Sequence, residues 1–279
     1  MTYAYFNETF LPIEEVRISP LDRGFLFGDS VYEVIPVYEK KPFLFEEHIL
    51  RLKRSLEETR ISRPKQWENL EEIIGKLVEL NRAINQSIYA QISRGVDINR
   101  SHIAEEDIEP TLFIMSSDLT LNPYRCENNI EGIKVSLQED PRWKRCDIKA
   151  TTLLPNIIAL NEAVSSGSQD VIFYRNQEVT EGASSNIFLV FQGEVFTPPQ
   201  SKNILTGITR NHVINLLKDL NLRISERVIY IEDLFKAEEI WLTSSTKEIQ
   251  PVSEINKKKL SVRSPEKALW RRVLENFHN

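Results

Sequence analysis

Two residues of the 279-residue chain could serve opposite ends of one cofactor ring: Lys149, in Cys146-Asp147-Ile148-Lys149-Ala150, and Glu181, in Glu181-Gly182. An amine condenses with an aldehyde only when unprotonated, so a reactive lysine needs a desolvated or cationic setting that lowers its pKa. Ile148 and Ala150 flank Lys149 in what reads as a short strand, and Leu153-Leu154 follow. A carboxylate elsewhere could keep a pyridine nitrogen protonated and make the ring an electron sink, the partnership that pyridoxal phosphate requires. Glu181, in a tight glycine turn, is the candidate. Each residue alone has a plainer reading: a solvated strand lysine, and a turn.

Three further segments could hold a phosphate. Thr206-Gly207-Ile208-Thr209-Arg210 precedes an amphipathic helix, so the backbone N–H groups of Ile208 and Thr209 would point outward with the positive end of the helix dipole behind them. Thr243-Ser244-Ser245-Thr246 follows the apolar strand end Ile240-Trp241-Leu242 and offers hydroxyl donors. Arg51, beside the apolar stripe of a helix, could add a bidentate guanidinium. Read singly, these are also an ordinary helix cap, a polar loop and a surface charge.

The elements that must position these groups follow from the hydrophobic pattern. Tyr3 to Phe6 and Val31 to Tyr38 read as strands, with Asp22 to Asp29 a glycine-punctuated loop between them. Helices follow from about Glu46 to Thr59, with Ile49, Leu52 and Leu56 as a stripe, and from about Trp67 to Asn81. Strands at Ser87 to Arg94 and Thr111 to Ser116 enclose a polar loop carrying Arg100-Ser101-His102. Leu119 to Asn129, with Pro123, looks like an interdomain connection. Beyond it come strands at Ile133 to Leu137, around Lys149, Val171 to Tyr174 and Ile187 to Val190, and a hairpin near Gly193. Further strands lie at Leu222 to Ile224, Glu239 to Thr243 and Val252 to Ile255. Helices are expected around Asn156 to Ser165, from Thr209, and from Pro265 to Phe277. Strands in runs beside helices favour an α+β fold over strict alternation. The expected division is a smaller N-terminal domain over 1–120, a linker over 121–129 and a larger C-terminal domain over 130–279.

Composition excludes several classes. A net charge of −6 argues against a nucleic-acid partner. No apolar run approaches a membrane span and the N-terminus lacks a signal core, so the cytoplasm is expected. Two cysteines, Cys126 and Cys146, suit neither a disulfide framework nor a zinc site. There is no Walker loop, Gly-X-Ser-X-Gly elbow, His-Glu-X-X-His or dinucleotide fingerprint. Glycine is scarce, 9 in 279, so each is expected to mark a constrained backbone position. Five of the nine fall in Asp22-Arg23-Gly24, Gly28-Asp29, Arg94-Gly95, Glu181-Gly182 and Thr206-Gly207.

The same runs carry a family resemblance. Asp22-Arg23-Gly24 with Phe27-Gly28-Asp29, Val31-Tyr32-Glu33, Glu47-His48-Ile49 to Arg51-Leu52, and Cys146-Asp147-Ile148-Lys149 stand in order with Glu181-Gly182, Ser184-Ser185-Asn186 and Gly207-Ile208-Thr209-Arg210. Together, from about Tyr3 to Val252, they resemble the fold-type IV pyridoxal-phosphate enzymes: D-amino acid transaminases, branched-chain transaminases and aminodeoxychorismate lyases. The resemblance implies two domains with the cofactor at their interface and Lys149 as the Schiff-base lysine. It also implies Glu181 on the pyridine nitrogen, and Arg51, Ile208, Thr209, Ser244 and Ser245 on the phosphate. The activity implied is ping-pong transamination between an amino acid and a 2-oxo acid.

D-amino acid transaminases are similar in having an Arg-X-His pair on the loop of the first domain, working with a tyrosine after the Gly-Asp turn. Here those are Arg100, His102 and Tyr32, a guanidinium, imidazole and phenol that would trap a substrate carboxylate. In the family that loop reaches the partner subunit's site, which implies a homodimer. Cys146-Asp147-Ile148-Lys149, after Trp143 and Arg145, also looks closer to the D-amino acid enzymes. Ser30, where glycine is common, and Ser245, where threonine is common, depart from the pattern and bear on substrate preference. The rivals are a pyruvate-eliminating lyase, a branched-chain L-amino acid transaminase, and a cofactor-holding protein without turnover.

Overall fold

The computed structural model describes residues 2–126, 131–260 and 267–278. It divides into two compact units. The first comprises Met1–Thr120 and Ile148–Thr152, the second Leu121–Asp147 and Leu153–Asn279.

The first unit is built on a six-stranded antiparallel sheet. Its elements are β1 (Tyr3–Phe6), β2 (Thr9–Pro12), a short helix α1 (Arg23–Phe27), β3 (Ser30–Tyr38), β4 (Lys41–Pro42), α2 (Phe45–Thr59), α3 (Leu70–Leu80), β5 (Gln86–Ser93) and β6 (Thr111–Asp118). The strand order is β2-β1-β6-β5-β3-β4. Alternation in β5 sends Ile88, Ala90 and Ile92 to one face, where they meet Ile35 and Val37 of β3 and Leu112 and Ile114 of β6. Helices α2 and α3 close that face with Leu52, Leu56, Ile74 and Leu77. The buried face of α2 is wider than the predicted stripe, because His48, Arg51 and Ser55 are buried beside Leu52 and Leu56. Among the glycines, Gly75 of α3 is unconstrained: a Cβ there would meet nothing.

The second unit contains β7 (Ile133–Glu139), α4 (Leu154–Ser165), β8 (Asp170–Arg175), β9 (Glu178–Gly182), β10 (Asn186–Phe191), β11 (Glu194–Thr197) and α5 (Ile208–Asp219). There follow β12 (Ile224–Glu226), α6 (Ile231–Leu234), β13 (Glu239–Ser244), β14 (Glu248–Ile255), β15 (Lys258–Lys259) and α7 (Leu269–Glu275). The sheet order is β12-β11-β10-β13-β14-β7-β8-β9, with β15 on β14. Pairing is antiparallel except at β11–β12, β14–β7 and β7–β8. Strand β10 is a continuous apolar run, Ile187-Phe188-Leu189-Val190, buried on both faces, and Phe188 stacks on Trp241 of β13. The α+β reading therefore holds.

Four local expectations change. Asp22 to Asp29 is not all loop: Asp22 accepts a bond from the N–H of Gly24 and so caps α1, which Gly28 ends in the left-handed conformation. The Lys149 run is not a strand but an irregular segment with one bridge, Ala150 to Val31. Arg145 folds back on Asp147, and the Cys146 thiol on the Trp143 carbonyl, in local turns that replace ladder bonds. Glu181-Gly182 is the end of β9, not a turn; Gly182 leaves room there for the Ser185 hydroxyl, which a Cβ would meet. Finally, 121–126 is packed within the second unit, where buried Asn122 donates to the carbonyls of Lys247 and Ile249.

The rest of the expected linker, 127–129, lies outside the described residues, as does Pro265, the predicted start of the last helix. The expected domain division differs from the observed grouping at Ile148–Thr152, which packs with the first unit. Among the described residues no helix is long and apolar enough to cross a membrane.

Candidate active site

In the first unit, Lys149 is held by its backbone. Its carbonyl accepts from the N–H of Tyr32 at 3.0 Å, and the N–H of Thr151 donates to the Ser30 carbonyl at 3.1 Å. Ile148, one residue before, is in the core. The half-buried Lys149 side chain places Nζ 4.3 Å from the centre of the Tyr32 ring. Tyr32 in turn stacks on Tyr89 at 5.4 Å, and burial, with Tyr32 beside it, pushes the Tyr89 phenol up to about 12. Ser30, at the start of β3, bonds through its hydroxyl to Thr151.

Arg51 is buried, and its orientation is set by Glu33. Nε and Nη2 donate to the two carboxylate oxygens at 2.7 and 2.8 Å. His48, one turn earlier on α2, places Nδ1 2.8 Å from the same carboxylate. Burial lowers the His48 pKa despite Glu33, so the ring is neutral at pH 7 and its Nδ1–H donates. Burial alone would raise the Glu33 pKa, but Arg51 and His48 hold it well below the usual carboxylate range. Deleting one charge of a buried pair strands the other. Glu33→Gln should therefore cost about 3 kcal/mol of stability at pH 7, read by urea unfolding. Because the Glu33 pKa is lowered on folding, its contribution is present above the ordinary value of 4.5 and is lost as pH falls toward the depressed one. The gap between native and variant should narrow in acid.

In the second unit, Glu181 is fully buried at the end of β9 and receives three donors. Arg142 Nη1 lies 2.6 Å from Oε1, and Asn186 Nδ2 lies 2.9 Å from Oε2. The N–H of Leu205 is shared by both oxygens at 3.1 and 3.0 Å. Arg142 is itself fixed by Asp140 at 2.8 Å and lies over the Phe173 ring. Burial pushes the Glu181 carboxyl up to about 7, against the pull of Arg142 and the Leu205 amide. Three donors on a group with about four acceptor directions leave room for one more N–H.

Asn186 connects this carboxylate to the start of α5. It stands opposite Thr243 in the β10–β13 register, and a Cβ at Gly207 would collide with its Oδ1. Gly207 is the N-cap of α5, and no side chain caps the helix. The N–H groups of Ile208 and Thr209 thus begin a twelve-residue helix behind a glycine whose missing Cβ makes room for the Asn186 side chain. Helix α5 packs on β13, which ends at Ser244, and Ser245 opens the turn beyond. The hydroxyls of Thr243 and Ser185 are buried with no protein partner. Helix N–H groups, serine hydroxyls and unpartnered buried oxygens form a donor set that fits a phosphate, and Glu181 fits a pyridine N–H.

Arg100 and His102 come together in the first unit. The Arg100 guanidinium lies 5.3 Å from the centre of the Phe27 ring, and the His102 ring 5.4 Å from it. Both side chains are exposed.

Residues 30–255 match the family model described as amino-transferase class IV. The chain belongs to the class IV aminotransferases. A D-alanine aminotransferase of Staphylococcus haemolyticus is 34% identical to this class IV aminotransferase over 256 residues, 92% of the chain and 90% of the relative. Among solved structures, a branched-chain amino acid aminotransferase of Escherichia coli is 25% identical, with a TM-score of 0.89, covering 99% of this chain and 93% of that one. A second branched-chain amino acid aminotransferase, from T.th. and solved with pyridoxamine 5'-phosphate, is likewise 25% identical, with a TM-score of 0.89 and coverage of 99% and 93%.

Several residues of this class IV aminotransferase that shape the candidate site were not singled out for a role from sequence. Arg142 and Leu205 have no local signal, since each meets Glu181 only through the fold. Asn186, Glu33 and His48 stand within the family-like runs, which was the available signal.

Proposed function

We propose that this aminotransferase moves the amino group of a D-amino acid of the D-alanine type to a 2-oxo acid such as 2-oxoglutarate or pyruvate, with pyridoxal phosphate as cofactor. The observation that carries this reading is the gathering of Arg100 and His102 on one aromatic ring, in a chain 34% identical to a D-alanine aminotransferase. Lys149 serves the cofactor aldehyde and Glu181 the ring nitrogen; Arg51, Ile208, Thr209, Ser244 and Ser245 hold the phosphate. Bound pyridoxal phosphate supplies the aldehyde and an electron-accepting ring.

The chain's own groups do the rest. Lys149 Nζ would be the base that takes up the substrate α-proton. Glu181 keeps one N–H bonded in a buried, water-poor position. Glu33, bonded to Nε and Nη2, fixes the plane of the Arg51 guanidinium, so its charge has a set orientation. Tyr32, Arg100 and His102 take the substrate carboxylate, and where they hold it decides which hydrogen faces the base.

A homodimer accompanies this reading. Leu21, Phe25, Val96, Ile98 and Ile103 are large apolar side chains exposed around the Arg100 loop, and a second copy would cover them. Sedimentation at micromolar concentration reads the assembly.

Branched-chain L-amino acid transamination is the second reading, supported by the two solved relatives. Coupled assays with D-alanine, L-leucine and aminodeoxychorismate separate the readings. Turnover of D-alanine is expected; turnover of L-leucine or aminodeoxychorismate alone would replace the D-amino acid reading. Arg100→Ala should raise KM for D-alanine by about ten- to a hundredfold, roughly the worth of a charge-assisted hydrogen bond. An unchanged KM would remove the carboxylate trap.

A further inference from the structure

The run Asp22-Arg23-Gly24-Phe25-Leu26-Phe27-Gly28-Asp29 holds none of the residues assigned above to the cofactor or the substrate carboxylate, yet its arginine is buried and makes four hydrogen bonds. Arg23 Nε donates to Asp29 at 3.0 Å and Nη1 to Asp97 at 3.2 Å, so two carboxylates fix the guanidinium plane. The outer N–H groups then reach the backbone of the Arg100 loop: Nη1 donates to the Ser101 carbonyl at 2.7 Å and Nη2 to the His102 carbonyl at 3.2 Å. The same guanidinium lies 5.0 Å from the centre of the Phe27 ring, which also carries Arg100 and His102.

The other polar contacts of 99–103 are local. Ser101 N–H donates to the Asn99 carbonyl, Ile103 N–H to the Ser101 hydroxyl, and Asn99 N–H to Asp97. Among the described residues, Arg23 supplies the hydrogen bonds that reach 99–103 from another element. Helix α1 thus has one face built to brace this segment: Asp22 starts it, Arg23 grips two carbonyls, and Phe27 ends it as the platform.

We propose that Arg23 and Phe27 are positioning residues for substrate recognition, which set the spacing and direction of Arg100 and His102. This rests on the reading of that pair as the carboxylate trap. A planar guanidinium with five fixed donors can span two carboxylates and two carbonyls; a lysine ammonium with three donors on a flexible stem cannot. Arg23→Lys keeps the positive charge beside Asp29 and Asp97, and it therefore separates bracing from simple charge burial.

In the holoenzyme, Arg23→Lys should raise KM for the amino acid about tenfold with kcat and the cofactor absorbance little changed. The half-reaction with a primary amine lacking a carboxylate should keep its native rate. Hydrogen exchange of the amides of 99–104 should speed up in the same variant, and this readout needs no turnover. Phe27→Leu, which leaves the Arg23 bonds in place, should raise KM in the same direction. Native KM in both variants with native exchange in 99–104 would overturn the proposal, as would faster exchange with native KM. Should the native enzyme turn over only L-leucine, the D-amino acid reading fails, while KM for L-leucine and loop exchange still decide the role of Arg23.

Discussion

Lys149→Ala is expected to transaminate about a thousandfold more slowly than the native enzyme, the middle of the range for losing a positioned general base. No other amine can take over easily, because the placement of Nζ depends on the backbone: the Lys149 carbonyl is bonded to Tyr32 and its neighbour Ile148 is locked in the core. Native protein loaded with pyridoxal phosphate should be yellow, and borohydride should bleach it and leave the pyridoxyl mass on the peptide containing Lys149. The alanine variant should bind cofactor without that covalent mark. A mark on a different lysine, or near-native turnover by the variant, would remove the base assigned here.

Glu181→Gln is expected to lower kcat about a hundredfold, the lower end of what one preorganised electrostatic partner is worth. The amide keeps the shape but cannot balance a positive ring nitrogen. A second measurement isolates the carboxylate itself. Its folded pKa is raised from 4.5 to about 7, chiefly by burial, so it takes up a proton on folding. In cofactor-free protein the native form should therefore lose stability relative to Glu181→Gln as pH rises from about 4.5 to about 7, by about 3 kcal/mol, and no further above that. Parallel unfolding curves across that window would show that the buried carboxylate is not held as described.

The parts of this molecule that follow a local period were readable in advance. Val31 to Tyr38 is a strand, and the stripe through Leu52 and Leu56 marks a helix because apolar spacing is enforced by burial on one face. The start of α5 was equally readable, since a glycine before an amphipathic helix exposes N–H groups whatever the fold does with them. Long-range partners were not. Arg142 lies 39 residues from the carboxylate it holds, and Glu33 lies 18 from Arg51; neither distance leaves a periodic trace. Glu181-Gly182 misled for a physical reason: glycine signals a turn when the backbone needs the left-handed region, but here it yields room to the Ser185 side chain within a strand.

The assignment of Ile148–Thr152 to the first unit limits how the polypeptide can be dissected. A gene fragment ending at Thr120 encodes every helix and sheet strand of that unit but omits Ile148, a side chain of its core, and the edge bridge made by Ala150. Such a fragment would carry a furrow along β3 where the missing stretch belongs. The two halves are thus interleaved, and the candidate nucleophile rides on the stitch.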